Sequence, residues 1–162
     1  MRHPKSGIRD SLVLGILVWL APGIENALAD DFMLTMPKLS SWLEAYGNAW
    51  ETRDADAAVL IFSEDATYRV SPYEEAHVGR SGIHEYWAGV TENQRNVDFQ
   101  YQALSVNGNT GIAHWSAEFS VEPGGTTIQL DGIFVLDFDS EGKCHRLREW
   151  WHLKADDAAS ED

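Results

Sequence analysis

The sequence predicts an α+β fold in which three N-terminal helices lie on one face of a curved, mostly antiparallel sheet to make a cone. Apolar residues recur at helical spacing from Leu39 to Trp50 and again from Ile83 to Val90. From Val97 onward the apolar period becomes two and stays two, interrupted by turn signals. Elements of this kind share one core only if the helices cover one sheet face. A bent sheet is not filled completely from one side, so the open end of the cone is a natural pocket.

In the first helix Leu39, Trp42, Leu43, Tyr46, Ala49 and Trp50 form one stripe, and Ser41 with Glu44 offers a capping box near its start. Asp54 suits the N-cap of a second, shorter helix carrying Ala57, Ala58, Leu60, Ile61 and Phe62, which Ser63-Glu64-Asp65 ends. Thr67-Tyr68-Arg69-Val70 reads as a brief strand, and Ser71 to Arg80, with Pro72 and Gly79, as a loop. Ser81 can cap a third helix whose Ile83, Tyr86, Trp87 and Val90 share a face. In the strands, Val97, Phe99, Tyr101 and Ala103 alternate with Asp98, Gln100 and Gln102. Asn107-Gly108-Asn109 signals a turn, after which Ala113, Trp115, Ala117 and Phe119 oppose His114, Ser116 and Glu118. Pro123-Gly124-Gly125 ends that run. Thr127 to Phe138 keeps Ile128, Leu130, Gly132, Phe134, Leu136 and Phe138 in one register. Asp139-Ser140-Glu141-Gly142 turns the chain, and Cys144 to Leu153 completes a four-stranded meander.

The chain has 162 residues and a formal net charge of −14, which suits one domain with an acidic surface. That balance argues against a phosphate-tracking nucleic-acid partner and against an anionic bilayer. No segment reaches the roughly 18 unbroken apolar residues of a spanning helix. Residues 1–29 read as a secretory signal: Arg2, Lys5 and Arg9 make a basic start, Leu12 to Leu20 an apolar run, and Ala27-Leu28-Ala29 a small-x-small cleavage site. The expectation is a secreted or periplasmic protein beginning at Asp30, while Met33 and Met36 leave open a later start and a cytoplasmic one. Residues 30–154 form the domain, and Ala155 to Asp162 read as an acidic, solvated tail. A single cysteine, Cys144, allows neither an intrachain disulfide nor a cysteine metal cluster. His77, His84, His145 and His152 include no pair at i, i+4 around an acid, so no metal is expected.

Four segments carry a resemblance: Tyr46-Gly47-Asn48-Ala49-Trp50 followed by Asp54; Phe62-Ser63-Glu64-Asp65-Ala66-Thr67-Tyr68; Gly79 before Ile83 and Tyr86-Trp87; and Asp131-Gly132-Ile133 through Gly142 to Arg148-Glu149-Trp150-Trp151. In this order and spacing, from Leu39 to Lys154, the chain resembles the nuclear transport factor 2-like superfamily and, within it, the SnoaL-like group. The resemblance implies the cone fold, a pocket for a small hydrophobic ligand, and a homodimer paired through the outer sheet face. Ile112, Ile133 and Val135 would otherwise expose apolar side chains there. The superfamily is similar in fold to ketosteroid isomerase, polyketide cyclases, scytalone dehydratase and limonene epoxide hydrolase, and it includes modules without chemistry, so fold does not settle function. The isomerase pattern needs an aspartate base opposite a tyrosine and a protonated aspartic acid. Tyr46 matches the tyrosine, but Val70 and Ser71 stand where the base belongs and Phe134 where the acid belongs. Steroid isomerisation by that mechanism is not expected.

Glu149 alternates with Leu147 and Trp151, so its carboxyl shares a face with two large apolar groups. Desolvation there would raise its pKa toward neutrality, unless Arg148, Arg146 or Arg69 pairs with it at the rim. Asp131 is a second candidate acid or base only if a bulge at Gly132 shifts the register, because parity otherwise turns it outward. His114 suits a general base by chemistry, but it shares the parity of Ser116 and Glu118, away from the core. Tyr46 and Tyr68 could orient a ligand oxygen, while Trp50, Trp87, Trp115, Phe134 and Trp151 would line an aromatic chamber or simply build the core. Two functions stay open. One is a cofactor-free enzyme performing proton transfer, dehydration, cyclisation or hydrolysis on a hydrophobic oxygenated compound. The other is a non-catalytic ligand-binding or dimerisation module.

Overall fold

The computed structural model describes residues 32–156; the leader expected over residues 1–29 and most of the acidic tail lie outside them. Helix α1 spans Met36–Thr52, α2 Ala55–Val59 and α3 Gly79–Thr91. Strands β1 (Phe62–Arg69), β2 (His77–Val78), β3 (Gln94–Asn107), β4 (Thr110–Val121), β5 (Thr126–Phe138) and β6 (Cys144–Asp156) form one sheet in the order β2-β1-β6-β5-β4-β3. Every neighbouring pair is antiparallel except β1 with β6. The α+β cone is therefore present, with the helices covering one face.

One difference from the sequence reading is an added element, since Ser71 to Arg80, read as a loop, contains the short strand β2 paired with β1; the others lie at element ends. Thr35, not Ser41, caps α1, and its hydroxyl accepts from the Lys38 amide while Pro37 sits in the first turn. The helix closes on Arg53 in the left-handed region, and Asp54 then caps α2 through the Ala57 amide at 2.8 Å. Phe62, expected in α2, opens β1 instead. The pairing of β1 with β6 is irregular between Phe62 and Thr67, which is why Ser63-Glu64-Asp65 looks like a breaker within a continuous strand. Ser81 does not cap α3; the helix begins at Gly79, which takes a φ of +70°, and Arg80 ties it to β1 through two bonds to the Phe62 carbonyl and one to Glu64. Strand β6 runs to Asp156, pairing Ala155 and Asp156 with β5.

The core is largely aromatic. Trp42 stacks on Tyr46, Tyr46 meets Trp87 and Phe134 edge-on, and Trp115 lies flat on Phe134 with ring centres 4.9 Å apart. Helix α1 approaches β3 so closely that a Cβ on Gly47 would stand 2.6 Å from the Phe99 ring. At Gly132 a Cβ would lie 2.6 Å from the Trp150 carbonyl and 3.0 Å from the Trp115 indole. The backbone atom cannot yield cheaply, so Gly132→Ala is expected to cost about 1–3 kcal/mol. Gly89 in α3 has nothing within 4 Å of an added Cβ, and Gly89→Ala is expected to gain about 0.5–1 kcal/mol. Urea denaturation of both variants checks the opposite signs.

Candidate active site

Alternation on β6 sends Leu147 and Glu149 inward and Arg146 and Arg148 outward. Glu149 is 5 % exposed and sits opposite Phe134. It lines a small chamber with Tyr46 and Trp50 from successive turns of α1, Tyr68 from β1, Tyr86, Trp87, Val90 and Thr91 from α3, and Trp115 from β4. The chamber measures about 40 Å³. That is room for roughly three waters. Glu149 also lines a groove of about 530 Å³, between the loop Val70–Glu74 and β6 residues Trp150, Trp151 and His152.

No arginine reaches the Glu149 carboxyl. Arg146 and Arg148 bind Asp137 on the outer face at 2.7 and 3.2 Å, and Arg69 donates to the Glu74 carbonyl. Burial pushes the Asp137 carboxyl up, but the Thr110 hydroxyl and the two guanidinium groups outweigh it and hold the carboxyl below its ordinary range. Glu149 has no such compensation. Burial raises its pKa to about 8, against smaller opposing pulls from the Tyr68 hydroxyl and the Trp151 indole. The Tyr46 and Tyr68 hydroxyls are 2.7 Å apart. Burial first, and the nearby Glu149 charge second, push both phenols well above their ordinary pKa, so both remain proton-bearing donors. The arrangement is a carboxylic acid poised to exchange a proton near neutral pH, with phenols beside it that stabilise negative charge on an oxygen.

Residues 43–147 match the SnoaL-like domain. The chain belongs to the SnoaL-like family. A comparison with curated proteins returned no significant match. Among solved structures, the chain is similar to the epoxide hydrolase/cyclase-like enzyme SalBIII of pyran ring formation in the polyether salinomycin, at 23 % identity and a TM-score of 0.61 over 72 % of this chain and 92 % of that one. It is similar to the Delta 5-3-ketosteroid isomerase from Mycobacterium sp., at 13 % identity and 0.62 over 74 % and 98 %. A computationally designed 17-OHP binder matches at 14 % identity and 0.63 over 74 % and 97 %. At these identities the likeness shows the fold.

Within this SnoaL-like cone, Glu149, Tyr46, Tyr68, Trp50, Trp87 and Trp115 come together. Phe134 is fully buried and backs the chamber under Trp115 and Tyr46, while Trp151, 40 % exposed, stands at the groove. Asp131 and His114 do not reach the chamber. The β4–β5 ladder runs unbroken from Thr110↔Asp137 to Val121↔Thr126, so no bulge at Gly132 turns Asp131 inward. Both side chains lie on the outer face, where His114 Nε2 meets Asp131 Oδ2 at 2.9 Å. As chamber acid and base they are withdrawn. Tyr86, read from the sequence only as helix packing, lies on the wall against Tyr68 at 5.3 Å. Its place on the face of Ile83 and Trp87 is the signal that could have marked it. Among the described residues no group of three or more His, Cys, Asp and Glu side chains is placed to hold a metal ion.

The raised Glu149 pKa has a signed consequence for stability. The folded carboxyl keeps its proton to about pH 8, whereas an ordinary glutamate releases it near 4.5. Between those values the folded state binds the extra proton, so stability falls as pH rises, by up to about 1.4 kcal/mol per pH unit. Glu149→Gln is expected to remove most of this fall. Urea midpoints of both proteins, taken from about pH 5 to about pH 9, check it; a variant that loses stability as steeply as the parent would refute the burial argument.

Proposed function

We propose that this protein is a cofactor-free acid–base enzyme that moves a proton on a small hydrophobic oxygenated compound, with Glu149 as the proton carrier. One observation carries the reading: a buried carboxyl, unpaired with any cation, beside two hydrogen-bonded tyrosines. With a pKa of about 8, Glu149 holds a proton at neutral pH yet yields it at modest cost, the property a general acid or base needs. Tyr68 and Tyr46 would stabilise negative charge developing on a ligand oxygen. The proton-transfer step itself is shared by isomerisation, dehydration, cyclisation and hydrolysis.

The test follows hydrogen–deuterium exchange at the α-carbons of small cyclic ketones in D2O by proton NMR. Glu149→Gln is expected to cut protein-dependent exchange by about a hundredfold or more. His114→Ala, on the opposite sheet face, is expected to leave it unchanged. Exchange undiminished in Glu149→Gln would overturn the assignment.

A second reading, a non-catalytic binding module, draws support from the small chamber, about 40 Å³, that the surrounding aromatics leave open. Saturable ligand binding without exchange would favour it. Under either reading we infer a homodimer through the outer sheet face, where Ile112 is 36 % and Trp150 47 % exposed and Ile133 and Val135 are half-buried. A dimeric parent in sedimentation, made monomeric by Ile112→Glu, is the expected outcome; a parent sedimenting as a monomer would refute the pairing.

A further inference from the structure

The buried indoles of the core differ in one respect. The Trp42 indole donates to the Ile61 carbonyl at 3.1 Å, and the Trp50 indole donates to Gln94 Oε1 at 2.7 Å. Trp87 and Trp115, 2 % and 1 % exposed, have no protein acceptor for their Nε1 hydrogens. Both residues line the chamber that holds Glu149. Buried donors are normally satisfied, and Tyr and Trp in a core usually find a partner for the polar end. Both of these indoles belong to residues on the wall of one chamber.

The other polar groups there set the complement. Tyr46, Tyr68 and Tyr86 hold their protons, and Glu149 carries one at neutral pH. Phenol and carboxyl oxygens both donate and accept, and one of the Tyr46 and Tyr68 protons is spent in the bond between them. The donor-only groups on the wall are the indoles, and of these Trp87 and Trp115 lack a protein acceptor, so the complement missing from the chamber is an oxygen with free lone pairs. The chamber takes a group of a few atoms, while the groove that shares Glu149 with it has the size of a small-molecule site.

We propose that Trp87 and Trp115 are ligand-recognition residues whose indole N–H groups receive an acceptor-only oxygen, of carbonyl, ether or epoxide type, at one end of a ligand whose apolar body rests in the groove against Trp151 and Tyr73. This rests on the reading that the chamber binds a ligand. It does not require Glu149 to be catalytic. The two tryptophans select the oxygen.

The test is a titration of the full chain labelled with 15N-tryptophan, read at the indole N–H resonances. The peaks are assigned with Trp87→Phe and Trp115→Phe, and the probes are cyclopentanone and its hydrocarbon analogue methylenecyclopentane. Cyclopentanone is expected to move the Trp87 and Trp115 peaks downfield and saturably, leaving Trp42 and Trp50 nearly still, while methylenecyclopentane leaves all four in place. Each Phe variant is expected to weaken cyclopentanone binding by about three- to tenfold. Equal response to both probes, or unmoved Trp87 and Trp115 peaks at saturating ketone, would overturn the proposal and assign the free N–H of Trp87 to the face of the Tyr46 ring, which it meets edge-on. If a Phe variant fails to fold, nuclear Overhauser contacts of the wild-type indole protons with neighbouring rings assign the peaks, and the wild-type titration still decides. Repeating it with Glu149→Gln separates the two readings, because loss of exchange with retained indole shifts removes the proton carrier and leaves recognition intact.

Discussion

The alternation of side chains along β6 governs the site. Within four residues, Arg146 and Arg148 face one way and Leu147 and Glu149 the other, and a strand cannot bend one of them across without breaking the ladder to β5. Two cations and one carboxylate that adjoin in sequence are thereby kept on opposite sides of a sheet. The cations find Asp137 on β5. Glu149 meets only Phe134, indoles and phenols, so desolvation acts on it unopposed by any positive charge. The same ladder leaves Asp137 near the outer surface beside two guanidinium groups, which hold its carboxyl below the ordinary range, and places Glu149 deep among the rings, where burial raises it.

Close aromatic packing is the second half of that arrangement. Tyr46 touches Trp42, Trp50, Trp87, Phe99 and Phe134, and such rings are rigid and large. They leave little room for water around Glu149 and supply no counter-charge. The same packing leaves the chamber small, so reactivity and accommodation oppose each other: a wider chamber would admit more ligand and also more water, drawing the carboxyl back toward its ordinary range. The roomy groove and the small chamber share Glu149 in their linings, which separates the two requirements.

Much of this was legible in the sequence because parity and helical spacing are local rules. The stripe Leu39 to Trp50 and the inward face of Glu149 follow from period, and the turn at Gly108 from the Asn-Gly-Asn signal. The conditional reading of Asp131 also followed from parity, but whether a bulge existed depended on the partner strand, which no single segment encodes. Helix caps were misplaced for a related reason. Ser41 and Ser81 have the right chemistry, yet Thr35 with Pro37 and Gly79 with Arg80 begin their helices earlier, because tertiary ties such as Arg80 to the Phe62 carbonyl decide the first turn. The partner of Arg146 and Arg148 was missed because Asp137 lies in an apolar run and joins them only across strands.

The position of the carboxyl bears on how a shared fold hosts different chemistry. The resemblance to ketosteroid isomerase would put a base at the end of the first strand and a protonated acid on the third strand of the meander; here Val70 borders the groove and Phe134 is fully buried. Among the described residues, the buried charged side chains are Asp137 and Glu149, and only Glu149 faces the cone. The carboxyl of this chamber therefore comes from β6, the wall beside Phe134, and Tyr46 of α1 shares the chamber with it. A strand places a carboxyl in the cone wherever parity points it inward, and leaves it unpaired where no arginine shares its face. That condition is met at Glu149 because its arginines sit one residue out of phase.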